Sequence, residues 1–140
     1  MHLTFKILIM FTLLLFAVND SYTQTDKENL SECEKWLVPP FISDGQNYLF
    51  EIDNEQKGNL RKTFFGGTTY RIIICSENRE KATFSMYDTE KNLLFTNQNH
   101  NNAGHWDFRF ESTIDCIIEV KSNTEKTGKS KVKLLIGFKN

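Results

Sequence analysis

The sequence predicts an all-β protein, folded as a single antiparallel β-sandwich of jelly-roll type with about eight short strands. Apolar and polar residues alternate with period two over much of the chain after Tyr48, as they do in a strand with one buried face and one solvated face. Turn-forming residues separate these segments at short intervals. No helical stretch long enough for a β-α-β unit lies between them, so we expect antiparallel pairing.

The alternation is clearest in four segments, at residues 82–87, 106–111, 116–121 and 131–139. In the second segment, Trp106, Phe108 and Phe110 share one parity, which predicts that they face the core. A corner at residues 111–115 then leads into the third segment. The stretch YRIIIC at residues 70–75 is apolar on both parities. We therefore expect a central strand that is covered on both faces.

The chain begins with the pattern of a secretory signal. One cation, Lys6, precedes an unbroken apolar run at residues 7–15 that extends to Val18. This run has the length of the apolar region of a signal peptide and is shorter than the about 20 residues that span a bilayer. The sequence thus predicts a signal peptide at residues 1–23, with an approximate cleavage site. We expect an exported mature protein in the periplasm, on the cell surface or secreted, without a membrane span.

Residues 24–47 are predicted to form an N-terminal arm that packs on a β-sandwich domain of residues 48–140. Ser31 and Glu34 have the spacing of a helix-capping box, which favours a short helix ending before Pro39. The apolar residues of the arm offer too much surface for a free linker. We therefore expect the arm to lie against the sandwich.

Charge and motifs exclude several function classes. Lys6 and Asp20 leave with the signal peptide, so the 17 basic and 18 acidic residues of the whole chain become 16 and 17. A nucleic-acid-binding protein would show a basic excess or a basic face with interleaved aromatic residues, and neither is evident. No G-x-S-x-G, HExxH, P-loop or dinucleotide-binding motif occurs. We accordingly predict no nucleic-acid partner, no cofactor and no catalytic residue.

Three cysteines, Cys33, Cys75 and Cys116, follow the predicted signal peptide. Disulfides persist in exported proteins. Because Cys75 closes one predicted strand and Cys116 opens another, a Cys75–Cys116 bridge is the first choice. The pairs Cys33–Cys75 and Cys33–Cys116, and three free thiols, are open alternatives. No histidine lies close in sequence to these cysteines, so a cysteine nucleophile is disfavoured.

His100, His105 and Asp107 are weak candidates for a metal site. They fall in or beside a polar, asparagine-rich segment, TNQNHNNAGHWDF at residues 96–108. Imidazole and carboxylate groups are ligands for zinc. Their spacing fits no standard ligand pattern, however, and a polar loop before a strand explains the same residues. The sequence predicts no metal site.

The order of four segments resembles a set of small exported proteins of Gram-negative bacteria without an assigned activity. The segments are FFGGTTYRIIIC, ATFSMYDTEKNLLF, HWDFRFESTIDCIIEV and KVKLLIGFK. Their order is similar to the pre-peptidase C-terminal type of β-sandwich, in which Tyr70, Phe84, Asp88 and residues 116–120 occupy matching places. Lys91 and Asn92 stand where that type has a glycine turn, and no peptidase accompanies the domain. The resemblance implies a β-sandwich and export, and it transfers no catalytic residue.

Together these observations favour an exported, non-enzymatic binding or accessory module whose ligand is a protein or a carbohydrate of unknown identity. A first alternative is a metal-dependent hydrolase, which requires His100, His105 and Asp107 to converge on one point. A second alternative is an inhibitor of a secreted hydrolase. That function predicts an exposed, rigid loop such as residues 97–104.

Overall fold

The computed structural model describes residues 30–77, 81–123 and 128–140, so the predicted signal peptide at residues 1–23 lies outside the described residues. These residues contain nine strands and two short 3-10 helices, Glu32–Trp36 and Asn97–His100. In chain order the strands are β1 (Ile42–Ser43), β2 (Tyr48–Ile52), β3 (Gly58–Phe64), β4 (Thr69–Ser76), β5 (Thr83–Asp88), β6 (Leu93–Thr96), β7 (His105–Arg109), β8 (Ile114–Lys121) and β9 (Ser130–Lys139). In these described ranges, no helix has the length and hydrophobicity needed to cross a membrane.

The strands form two antiparallel sheets. The first sheet has the order β1-β9-β4-β7, and β2 also pairs with β9. The second sheet has the order β3-β8-β5-β6. The predicted all-β, antiparallel sandwich is confirmed, with one strand more than the about eight that the turn signals suggested.

The pairing registers show at which of the two ends of the sandwich each connection between strands lies. Ser76 pairs with Val132 at one end of the first sheet, and Thr69 pairs with Lys139 at the other. The end near Ser76, here called the loop end, carries the connections at residues 53–57 and 97–104. The end near Thr69, here called the turn end, carries those at residues 65–68, 89–92 and 110–113.

Inward-facing side chains of both sheets form one apolar core. Phe64, Phe84, Ile72, Ile118 and Leu134 are among its fully buried members. Fully burying a side chain of this size contributes about 1.5–3 kcal/mol to stability. The alternation that predicted the strands therefore reflects the same burial that holds the two sheets together.

Strand β4 is covered on both faces, as the run YRIIIC predicts. Ile72 and Ile74 face the core between the sheets. Ile73 faces the opposite way, where it forms a second buried cluster with Cys33 and Leu135. The N-terminal residues supply the cover on this outer face of the first sheet. There Leu37 lies over Gly137, at a point where any Cβ would collide with it.

The cover includes a short helix that ends before Pro39, as predicted, in which the α-helical residues Leu30 and Ser31 lead into the 3-10 helix Glu32–Trp36. Ser31 occupies its N-cap position, but its side chain makes no capping hydrogen bond. The predicted capping box with Glu34 therefore does not form. Glu34 instead accepts a 2.7 Å hydrogen bond from Nζ of Lys133 on β9.

The predicted Cys75–Cys116 disulfide is wrong, because the structure joins Cys33 to Cys75. Their Cα atoms lie 5.8 Å apart. Cys75 follows Ile73 on the outer face of the first sheet, under the 3-10 helix that carries Cys33. Cys116 is a free thiol on the inner face of the second sheet, where it is 2% exposed. Cys75 and Cys116 thus lie on different surfaces of different sheets.

Candidate functional site

The structure does not bring His100, His105 and Asp107 together. The ring of His105 lies on the outer face of the first sheet and stacks on Trp36, with 4.4 Å between ring centroids. The ring of His100 packs instead on Trp106, which faces the core, with 4.2 Å between centroids. Within the described parts of the chain, no group of three or more His, Cys, Asp or Glu side chains could hold a metal ion. These residues therefore do not form the metal site that the alternative of a metal-dependent hydrolase requires.

Asp107 is committed to an ion pair with Arg71. Nε and one terminal nitrogen of Arg71 donate to the two carboxylate oxygens at 2.7 and 2.8 Å. The other terminal nitrogen donates to the carbonyl of Trp36 at 3.1 Å, and the guanidinium lies 4.1 Å from the ring centre of Phe41. Arg71 therefore fastens the N-terminal residues to β4 and β7. Its hydrogen bonds hold the pKa of Asp107 below the usual range, against a smaller opposing effect of burial.

This ion pair predicts an acid-dependent loss of stability. A carboxyl group whose pKa falls on folding stabilises the fold above its unfolded pKa of about 3.9, and this contribution disappears as the pH falls through the lower folded pKa. We expect the free energy of unfolding to decrease less between about pH 4 and pH 2 in Asp107→Asn than in the wild type. Urea unfolding at several pH values measures this difference. Parallel pH profiles for the two proteins would contradict the assigned role.

The loop at residues 97–104 is anchored by a buried side chain. Asn97 is fully buried, and its Oδ1 accepts a 2.9 Å hydrogen bond from the backbone N–H of Phe84. Its Nδ2 donates to the carbonyls of Ala82 and Ala103 at 3.2 and 3.1 Å. One amide side chain thus ties the start of the loop to β5 and to the loop's own exit.

Further contacts fix the rest of the loop while its tip stays exposed. Gly104 accepts a 2.8 Å backbone hydrogen bond from Ile74, which holds the exit against β4. Asn101 and Asn102 have φ angles of 55° and 51°, a left-handed conformation that asparagine tolerates better than most residues. The exposed residues of the tip are Gln98, Asn99, His100 and Asn101. The loop is therefore both exposed and held in place, which is the geometry expected of an inhibitory loop.

A second polar constellation, which the sequence reasoning missed, lies at the sandwich edge towards the turn end. Nζ of Lys62 donates to Oδ2 of Asp44 at 2.8 Å and contacts the hydroxyl of Tyr48 at 3.3 Å. The Tyr48 hydroxyl donates to the same Asp44 oxygen at 3.0 Å. The Lys62 side chain is only 25% exposed, and that of Asp44 is 10% exposed. These three residues are called the Lys62 cluster below.

The sequence contains one signal for this cluster. Lys62 shares the inward parity of Leu60 and Phe64 on β3, where alternation alone predicts an apolar residue. Burying an ammonium group is unfavourable unless partners satisfy it. Burial lowers the pKa of Lys62, but the hydrogen bonds with Asp44 and Tyr48 outweigh this effect and raise it. Lys62 therefore stays cationic beside the Asp44 carboxylate.

The Lys62 cluster borders a half-open cavity of about 380 Å³. The residues that line it are Asp44, Lys62, Thr63, Phe65, Thr68, Tyr70, Phe138 and Asn140. Carboxylate, ammonium and hydroxyl groups thus face the same space as three aromatic rings. This mixture suits a ligand that has both hydrogen-bonding groups and an apolar face.

A broader depression of about 590 Å³ lies on the outer face of the second sheet, between Arg61, Tyr87 and Ile117. It is larger than the cavity beside Lys62, but it gathers fewer partly buried polar groups. Its acidic residue, Glu119, forms ion pairs with two exposed lysines. We regard it as a solvated sheet face and not as a site.

The comparisons with known proteins show a shared fold. No family model matches the chain, and no curated protein matches it significantly. The structure is similar to the crystal structure of PliG from Aeromonas hydrophila, a periplasmic inhibitor of g-type lysozyme, with a TM-score of 0.52. The two chains are 13% identical, and the match covers 73% of this chain and 90% of the inhibitor. The all-β fold implied by the family resemblance is confirmed, while assignment to the pre-peptidase C-terminal type stays a prediction.

Proposed function

We propose that the protein is an exported inhibitor of a secreted glycan hydrolase and that the loop at residues 97–104 enters the hydrolase's substrate cleft. The observation that carries this proposal is the exposed, firmly anchored loop. A loop that is already ordered loses little conformational entropy on binding, so more of its contact energy appears as affinity. The fold shared with a periplasmic lysozyme inhibitor supports the same function.

The chemistry of the loop tip fits a cleft that normally binds glycan. Glycosidases place two carboxyl groups on either side of the scissile bond. The amides of Gln98 and Asn99 and the imidazole of His100 offer hydrogen-bond donors to such groups without adding a carboxylate of their own. Rotation of His100 is restricted because its ring stacks on Phe95 and contacts the tilted ring of Trp106. The tip therefore presents the imidazole of His100 in a preset orientation.

Export belongs to the proposal because inhibitor and hydrolase must meet. The predicted signal peptide at residues 1–23 directs the chain out of the cytoplasm. The Cys33–Cys75 disulfide is of the kind that persists in oxidising compartments. Both features support a location in the periplasm, on the cell surface or outside the cell.

The test is an enzyme assay with a matched pair of variants. We expect the purified mature protein to inhibit at least one member of a panel of g-type and other lysozymes, measured as lysis of bacterial cells. Gln98→Glu places a negative charge at the loop tip, opposite the expected carboxylates, and should weaken inhibition at least about tenfold, or about 1.4 kcal/mol. Gln56→Glu makes the same change in an exposed turn at the loop end, at the opposite edge of both sheets, and should leave inhibition unchanged.

The outcomes test the inhibitory function and the role of the loop separately. Absence of inhibition across the panel would count against the proposed function. Equal inhibition by the two glutamate variants would keep the function but remove the loop from the interface.

A further inference from the structure

We propose that the cavity beside the Lys62 cluster binds a neutral saccharide. This inference goes beyond the proposed inhibition, because the cavity lies towards the turn end and the loop at residues 97–104 lies at the loop end. It rests on four observations, which are the polar groups that face the cavity, their charge balance, the aromatic residues around them and the size of the cavity.

The polar groups of the cavity match the hydrogen-bonding needs of a sugar. Each sugar hydroxyl both donates and accepts, so a site needs groups of both kinds close together. Asp44 supplies an acceptor and Lys62 a donor. The Thr68 hydroxyl can do either, and the Thr63 hydroxyl, which donates to Asp115, can still accept. Asp44 and Lys62 are already fixed by their mutual hydrogen bond of 2.8 Å. They therefore need little reorganisation to receive a ligand.

The charges of the cavity favour a neutral ligand over an ionic one. The Lys62 ammonium and the Asp44 carboxylate form a direct ion pair, so their formal charges cancel. Burial raises the pKa of Tyr48, which keeps its hydroxyl protonated at neutral pH. An anionic ligand would meet the Asp44 carboxylate, and a cationic ligand would meet the Lys62 ammonium.

Aromatic rings supply the apolar surface on which the C–H face of a sugar ring packs. Phe65 lines the cavity yet is 60% exposed, so burial in the core does not explain this large side chain. Its backbone is held in place, because its N–H donates to the hydroxyl of Tyr70 at 3.0 Å. The next residue, Gly66, passes so close to Glu111 that a Cβ there would lie 2.8 Å from the Glu111 carbonyl oxygen.

The size of the cavity agrees with this ligand class. Its volume of about 380 Å³ falls within the range of roughly 300–1,000 Å³ found for small-molecule sites. A purely structural role is a poor explanation for the Lys62–Asp44 pair, since replacing both partners of such an ion pair by well-packed apolar residues is often neutral or stabilising. A lysine at this position is accounted for if it contacts a ligand.

The experiment titrates the folded mature protein with three neutral trisaccharides, chitotriose, maltotriose and cellotriose, by calorimetry and by NMR. We expect at least one to bind with a dissociation constant of about 1 mM or lower. Phe65→Ala should weaken that binding at least about tenfold without lowering the melting temperature. Leu49→Ala removes another exposed apolar side chain, away from the cavity lining, and should leave binding unchanged.

A second variant keeps the test informative if Phe65→Ala fails to fold. The double variant Lys62→Met/Asp44→Asn removes both charges of the ion pair together, so no unpaired buried charge remains, and we expect a folded protein that no longer binds the saccharide. The proposal is overturned if no trisaccharide binds at about 10 mM, or if binding survives both in Phe65→Ala and in Lys62→Met/Asp44→Asn. Phe65→Ala should still inhibit the hydrolase, and Gln98→Glu should still bind the saccharide, so the failure of one proposal is distinguishable from the failure of the other.

Discussion

Removal of the Cys33–Cys75 disulfide is expected to lower the free energy of unfolding by about 4 kcal/mol. The two cysteines are 42 residues apart in sequence. On the chain-entropy model, a cross-link that closes a loop of this length restricts the unfolded chain by about that amount. The bridge also holds the residues that cover Ile73 and Leu135 on the outer face of the first sheet. Its loss should expose part of this second apolar cluster.

The measurement compares Cys33→Ala/Cys75→Ala with the protein that keeps the oxidised bridge, by urea unfolding at neutral pH. Both proteins carry Cys116→Ala, so that the third thiol cannot form a new pair. We expect a lower midpoint and increased binding of an apolar dye. A loss of stability below about 1 kcal/mol would show that the packing of Leu37, Trp36 and Phe41 holds these residues without the bridge.

Asn97→Ala is expected to cost about 3 kcal/mol of stability and to abolish inhibition by the loop. The side chain makes three hydrogen bonds to backbone groups. A buried N–H or carbonyl left without its partner costs about 1–3 kcal/mol, so the loss of three such bonds costs about 3 kcal/mol at the lower end of this range. Without this anchor the loop loses its link to β5. Part of the binding free energy is then used to order the loop, which weakens inhibition.

The control for this variant is the neighbouring exposed residue. Gln98→Ala should change stability by no more than about 0.5 kcal/mol, because its side chain is exposed. Urea unfolding gives the stability difference, and hydrogen exchange at the Phe84 amide reports the broken contact directly. Unchanged protection of this amide in Asn97→Ala would contradict the anchoring role.

Local pattern predicted most of the fold because burial acts residue by residue along each strand. The alternation in residues 131–139 corresponds to β9, which pairs with β1, β2 and β4. The order of strands within the sheets was beyond this reasoning. That order decides which cysteine lies near which, and Cys33 reaches Cys75 because the N-terminal residues cross the outer face of β4. Parity along a single strand carries no such information.

The same limit explains what was found and missed at the candidate sites. The loop at residues 97–104 is continuous in sequence, so its polar, asparagine-rich composition marked it. The sequence does not distinguish its anchor, Asn97, from the other asparagines of the loop, because the hydrogen bond to β5 depends on the tertiary structure. The Lys62 cluster joins β3 to the segment between β1 and β2, so only the inward parity of Lys62 pointed to it.

The enclosed thiol of Cys116 has a consequence for oxidative folding. The unfolded chain has three thiols and therefore three possible single disulfides. In the native protein, burial raises the pKa of Cys116 to about 11, with the nearby carboxylates of Asp115 and Asp88 adding to the effect. Exchange requires a thiolate with access to the bridge. Once the protein has folded, the Cys116 thiol therefore does not take part in thiol–disulfide exchange with the Cys33–Cys75 bridge.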